Sequence, residues 1–146
     1  MAQLNAHKKS FNNTPPPAIS YPQGELPLLK KVKNAYFLWY GQYQILPKTH
    51  RHTLGSRIDT LFITLIEVIA AASFMPRQEK LPYVQTAIRK LDAIKILIMI
   101  LWETKSLDDK KYVIISEPLH EIGRMLGGWS GQLTKAKQEK QNSLLR

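Results

Sequence analysis

Apolar residues recur at helical spacing through most of the chain that follows residue 26. Leu29, Val32, Tyr36, Trp39, Tyr40 and Tyr43 succeed one another mostly at steps of three and four, which gathers them on one face of a helix. This predicts a first helix over about residues 27–45, with Pro27 suited to its first turn. A second helix is predicted from Leu54 to Met75. A third runs from Leu81 to Leu107, with Leu81, Val84, Ile88, Leu91, Ile94 and Leu101 on its stripe. The fourth begins near Asp108. Its apolar residues Tyr112, Ile115, Leu119, Ile122, Leu126, Trp129, Leu133 and Ala136 alternate steps of three and four without a break, a heptad seam. Asp108 or Asp109 is placed to cap it, and Pro118 is expected to kink it or to end a first short segment. No stretch alternates like a strand and no Asn-Gly hairpin turn is present. Short connections make neighbouring helices antiparallel, so the expected fold is all-α, an up-down-up-down four-helix bundle over residues 26–138. Residues 139–146 are a C-terminal tail. Residues 1–25, with Pro15 to Pro17, Pro22 and Gly24, are expected to be an extended or disordered arm.

Two of these helices carry more apolar surface than one chain uses. Leu61 to Met75 has a single charge, Glu67, and Ala93 to Trp102 has one, Lys95. A helix that is apolar nearly all round needs cover on a second side. A transmembrane hairpin is rejected, because neither stretch reaches about 18 uninterrupted apolar residues and each holds a charge. Cover by further copies of the chain is expected instead, with Ile96, Met99 and Ile100 on the assembly surface. Four of the chain's seven glycines, Gly123, Gly127, Gly128 and Gly131, fall in the fourth helix. Each costs about 1 kcal/mol there relative to alanine. Spaced largely by four, they form a stripe that another helix or a nucleic-acid backbone can approach. Close helix packing, with Trp129 filling the space beside the stripe, is the favoured use.

Charge narrows the function. The chain has 146 residues and a formal charge of +10, an excess that points to an anionic partner such as nucleic acid. The cations are clustered. From Pro27 to Ser56 there are Lys30, Lys31, Lys33, Lys48 and Arg51 and no acidic residue, and Arg57 follows at once. Near the other terminus Lys135, Lys137 and Lys140 face Glu139 alone. A basic face built from the first helix, the first connection and the C-terminal end would bind phosphates without reading sequence. Lys30, Lys33, Lys48, His50, Arg51 and Arg57 are the candidate contacts, with Lys135 and Lys137 second. His50 and His52 would add charge in mildly acid solution. Arg124, inside the glycine stretch, has three possible uses: pairing with Glu121 or Glu117, a subunit contact, or nucleic acid.

Catalytic signals are thin. Glu117 and His120 have the spacing of a di-iron motif, but only Glu67 stands as a further inward carboxylate, so no metal, cofactor or enzymatic activity is expected. The absence of cysteine fits a reducing compartment, the N-terminal stretch lacks the apolar run of a signal peptide, and a cytoplasmic location without membrane attachment is expected.

Three segments, LPKTHRHTLGSRI (Leu46 to Ile58), KLDAIKILIMILWETKSLDDKKY (Lys90 to Tyr112) and LHEIGRMLGGW (Leu119 to Trp129), resemble the accessory variability determinants of diversity-generating retroelements. The resemblance covers about residues 27–135. It implies a small basic four-helix bundle assembling as a homopentameric barrel, which binds RNA or DNA and the retroelement's reverse transcriptase and supports error-prone cDNA synthesis during mutagenic retrohoming. Relatives often carry two basic residues on one side of the third helix. Here Lys95 stands at the first place and Met99 at the second, which makes that helix more purely an assembly surface. A sister family, the four-helix-bundle proteins encoded in intervening sequences of ribosomal RNA genes, shares the bundle and offers the alternative of a scaffold that binds protein only.

Overall fold

Residues 26–145 are described by the structure, a computed structural model, and the arm over residues 1–25 lies outside them. Helix α1 spans Pro27–Tyr43. One helical turn, α2, spans Lys48–His50 and leads through a π-helical segment, Arg51–Gly55, into α3, Ser56–Phe74. A 3-10 turn at Arg77–Glu79 precedes α4, Leu81–Glu103, and α5 spans Asp109–Leu144. Among the described residues there is no strand.

The four long helices form a ring in which α1 packs on α3, α3 on α4, α4 on α5, and α5 back on α1. Contacts between their ends show the alternation of direction. Trp39, late in α1, bonds Asp59, early in α3, while Lys31, early in α1, pairs with Glu121, well along α5. Leu28, Val32, Ala35 and Trp39 of α1 are buried against Ile58, Leu61, Phe62, Leu65, Ile69 and Ala72 of α3 and the matching stripes of α4 and α5. The heptad seam of α5 is the buried side of that helix at Ile115, Leu119, Ile122, Leu126 and Leu133. Every buried side chain among the described residues is apolar.

The element ends differ from the sequence-based expectation for local reasons. Helix α4 stops at Glu103 rather than Leu107. Lys105 takes a positive φ of 66°, and the amides of Ser106 and Leu107 both return to the carbonyl of Leu101, a helix-ending arrangement normally built on glycine. Leu107 then tucks into the core, 2 % exposed. Asp108 is the cap of α5, its Oδ1 accepting from the Lys111 amide at 2.8 Å, and Asp109 instead accepts from Trp102 Nε1 at 2.7 Å. Pro118 does not end a segment. It lies inside α5, where buried neighbours on both sides, Ile115, Leu119 and Ile122, outweigh one missing backbone donor. The helix also continues through residue 144, with every residue from 137 to 145 exposed, so its last turns project past the core.

Among the described residues, nothing covers the surplus apolar surface. Ile63 and Phe74 of α3 and Ile96 of α4 are exposed, and Met99 and Ile100 are partly so. Glu67, read from the sequence as an inward carboxylate, is exposed. Among the described residues no helix is long and apolar enough to cross a membrane.

Candidate nucleic-acid interface

The first connection is the most specifically built part of the basic surface. Leu46 is buried and anchors it. The amides of His50 and Arg51 bond the carbonyl of Pro47, at 3.0 Å each, which starts the helical turn. Gly55 is buried, and a Cβ there would lie 2.9 Å from Leu46 Cδ1, 3.0 Å from the Tyr43 ring and 3.2 Å from the His50 carbonyl. A side chain there would crowd the buried Leu46 and the His50 carbonyl, so glycine suits the close return of the chain onto α1.

Two candidate contacts are occupied in holding this connection. The Arg51 guanidinium donates from Nε at 3.2 Å and from Nη2 at 2.8 Å to the Leu46 carbonyl, satisfying an acceptor that the turn leaves unpaired. His50 Nδ1 meets Ser106 Oγ at 2.6 Å, which ties the first connection to the third. Lys48, His52 and Arg57 stand exposed around them. Replacing Arg51 by alanine is expected to destabilise the fold by about 1.5–3 kcal/mol, as for a charge-assisted hydrogen bond. Urea unfolding of Arg51→Ala beside Lys48→Ala, which should differ from the parent by under about 0.5 kcal/mol, checks this separation of a structural cation from a free one.

The remaining candidates divide between the two ends of the bundle. Because α5 begins beside the first connection, Lys135 and Lys137 are at its far end, separated from Lys48 by roughly 40 Å of helix at about 1.5 Å per residue. The single basic face expected from the sequence is thus two exposed clusters, joined by Lys30 and the half-buried Lys33 along α1. Residues that the sequence reading passed over join the first cluster. The tie between His50 and Ser106 brings Lys105, Lys110 and Lys111 to the same end as Lys48, interspersed there with Glu103, Asp108 and Asp109. Antiparallel topology was the signal for this, since it sets the first and third connections side by side.

Two carboxylates that pack beside α1, Asp59 and Glu121, are both engaged. Asp59, the nearest acid in sequence, accepts from Trp39 Nε1 at 3.3 Å and from the Tyr36 hydroxyl. Burial first, then the hydrogen bond and charge of Asp59, push the Tyr36 phenol up to about 12. Glu121 bonds Lys31, whose hydrogen bond and charge hold that carboxyl below its ordinary range. Arg124 contributes only a smaller charge effect on Glu121 and is itself exposed.

The glycine stripe closes at one place only. A Cβ at Gly123 would lie 2.9 Å from Lys95 Nζ, while Gly127, Gly128 and Gly131 have nothing within 4 Å. Among the described residues no second backbone approaches those three. Lys95 reaches over Gly123 into a shallow groove between α4 and α5, also lined by Asp92, His120 and Arg124. Trp129 packs against the core at its edge, and Lys80 Nζ sits 5.9 Å from its ring centroid while donating to the carbonyl of Ala72 at 2.6 Å and to that of Ser73 at 3.3 Å. Glu117 and His120 are both exposed, and among the described residues no three side chains form a group that could hold a metal ion.

Residues 28–133 match a family model described as bAvd-like. The matched segment takes in all four packed helices as far as the last buried residue, Leu133. No curated protein matches the chain.

Proposed function

The chain belongs to the bAvd-like family, an accessory and non-catalytic family of four-helix bundles, and from that membership we propose that it is a nucleic-acid-binding subunit of a diversity-generating retroelement. It binds the reverse transcriptase and the template RNA or its cDNA, and so supports mutagenic retrohoming. The carrying observation is that the family match extends over the whole packed bundle. The exposed cations Lys30, Lys48, Arg57, Lys135 and Lys137 support phosphate contact, as does the run from Pro27 to Ser56 without an acid. The subunit acts as a homopentamer. Its copies cover Ile96, Met99 and Ile100 and approach the open stripe at Gly127, Gly128 and Gly131, where nothing among the described residues comes within 4 Å.

Two measurements on the full chain test this. Light scattering coupled to size exclusion should give a mass near five times 16.8 kDa, and a monomer would overturn the assembly. Affinity for RNA and DNA should fall with salt, log K dropping by about 0.7–0.9 per neutralised phosphate against log salt concentration. Affinity unchanged between low and moderate salt would overturn phosphate binding and favour a scaffold that binds protein only.

A further inference from the structure

The groove between α4 and α5 has charged sides over an apolar floor. It holds about 510 Å³, inside the range of about 300–1,000 Å³ usual for small-molecule clefts. Ile88 and Leu91 line it from α4. Leu91 belongs to the buried core and Ile88 packs against that core, so the floor is fixed. Asp92 and Lys95 line it from the same helix, and His120 and Arg124 from α5. Their spacings of three and four put each pair on one side of its helix.

Two glycines make the room. Gly123 and Gly127 belong to the α5 side, one turn apart. At Gly127 a side chain would stand in open space. At Gly123 a Cβ would lie 2.9 Å from Lys95 Nζ and 3.5 Å from Leu91 Cδ2. Without that Cβ the lysine lies across α5, and its ammonium reaches the helix that carries Arg124 at the next position. A flexible lysine gives way to a methyl group, so packing alone does not call for glycine at 123. The position of the ammonium does.

Charge and shape select the ligand. An ammonium and a guanidinium on facing helices suit a phosphate group. Inorganic phosphate would meet those two cations but would make no use of the apolar floor, and Asp92 would repel it. A fatty acid would cover the floor and leave Asp92 without a donor. A nucleoside phosphate offers an anion, a flat ring and hydroxyl or amino donors together. We propose that the groove between α4 and α5 binds a nucleoside phosphate, its phosphate held by Lys95 and Arg124, its ring on Ile88 and Leu91, and its donors on Asp92. His120 stands at the rim, where either ring nitrogen is within the reach of a polar group of the ligand. The site goes beyond the function proposed above, whose cations Lys30, Lys48, Arg57, Lys135 and Lys137 do not line the groove. The nucleotide has two possible sources, a free nucleotide and one that is part of a bound strand.

The test is calorimetric titration of the full chain with adenosine monophosphate, adenosine and inorganic phosphate at one salt concentration. The nucleotide should bind at least about tenfold more tightly than either fragment, since each lacks one set of contacts. Arg124→Ala should weaken the nucleotide by at least about tenfold with the solution mass unchanged. Gly123→Ala should also weaken it, by displacing the Lys95 ammonium, although alanine is the better helix former and the unfolding temperature should hold or rise. Asp92→Asn should narrow the gap between the nucleotide and inorganic phosphate. Lys48→Ala with Arg57→Ala should leave nucleotide binding as it is. A nucleotide that displaces a labelled single strand identifies the strand as the source, and one that binds without displacing it identifies the free nucleotide. Inorganic phosphate bound as tightly as the nucleotide overturns the proposal, as does an equal loss in the Lys48 and Arg57 variant. A fall in solution mass of Arg124→Ala overturns it by making Arg124 a subunit contact. Nucleic acid bound with no nucleotide binding overturns it alone and leaves the proposed function standing.

Discussion

Truncating Trp39 to alanine is expected to lower the unfolding free energy by about 3–5 kcal/mol. The side chain is completely buried. Its ring stacks on Phe62 at 6.2 Å between centroids with an interplanar angle of 17° and lies 5.5 Å from Tyr43. Its Nε1 donates to Asp59. The truncation therefore opens a cavity where α1 meets α3 and removes a donor from Asp59. Against a usual stability of about 5–15 kcal/mol for a whole domain, that loss is a large share. Urea unfolding followed by circular dichroism checks it. Trp39→Phe keeps most of the volume and gives up the hydrogen bond, so it should cost less, about 1–2 kcal/mol. If Trp39→Ala cost under about 1 kcal/mol, the packing of α1 described above would be wrong.

The second large effect concerns binding. Replacing Lys48 and Arg57 together by alanine should reduce nucleic-acid affinity about 10- to 100-fold at low salt and make the salt slope shallower by roughly 1.4–1.8, for two lost phosphate contacts. Both side chains are exposed, so unfolding temperature and solution mass should stay close to those of the parent. Arg51 is left out of this variant because its guanidinium holds the Leu46 carbonyl. The same double substitution at Lys135 and Lys137 separates the two ends of the bundle. A loss at one end only would place the nucleic acid there. Affinity and slope unchanged in both variants would remove the basic clusters from the interface.

Much of the architecture was legible in the order of apolar residues. The heptad seam of α5 marks its buried side at Ile115, Leu119, Ile122, Leu126 and Leu133 because side-chain direction along a helix follows from the backbone period alone. A cap at Asp108 or Asp109 was identifiable for the same local reason, since the first amides of a helix lack partners within it, and the structure decides for Asp108. The surplus apolar positions at Ile63 and Ile96 were visible too, since one chain of four helices uses only one stripe of each. Element ends were less legible. The stop at Glu103 depends on Lys105 accepting a left-handed backbone that its type does not favour, and the run through Pro118 depends on burial around it.

The basic surface was the least legible part. A cluster of cations in sequence does not distinguish an exposed Lys48 from an Arg51 spent on a carbonyl, because that hydrogen bond exists only once Leu46 is buried and the turn is closed. Nor does it show that Lys135 lies at the opposite end from Lys48, or that Lys105 shares the nearer end. Those relations depend on distance in the fold, not along the chain. Helical period, capping and charge are local properties, and the order of residues alone dictates four amphipathic helices with cations at named positions. Which cations stand together, which glycines meet a neighbour and which aromatic rings remain uncovered are pairwise relations between helices, and they came into being only when the four stripes packed against one another.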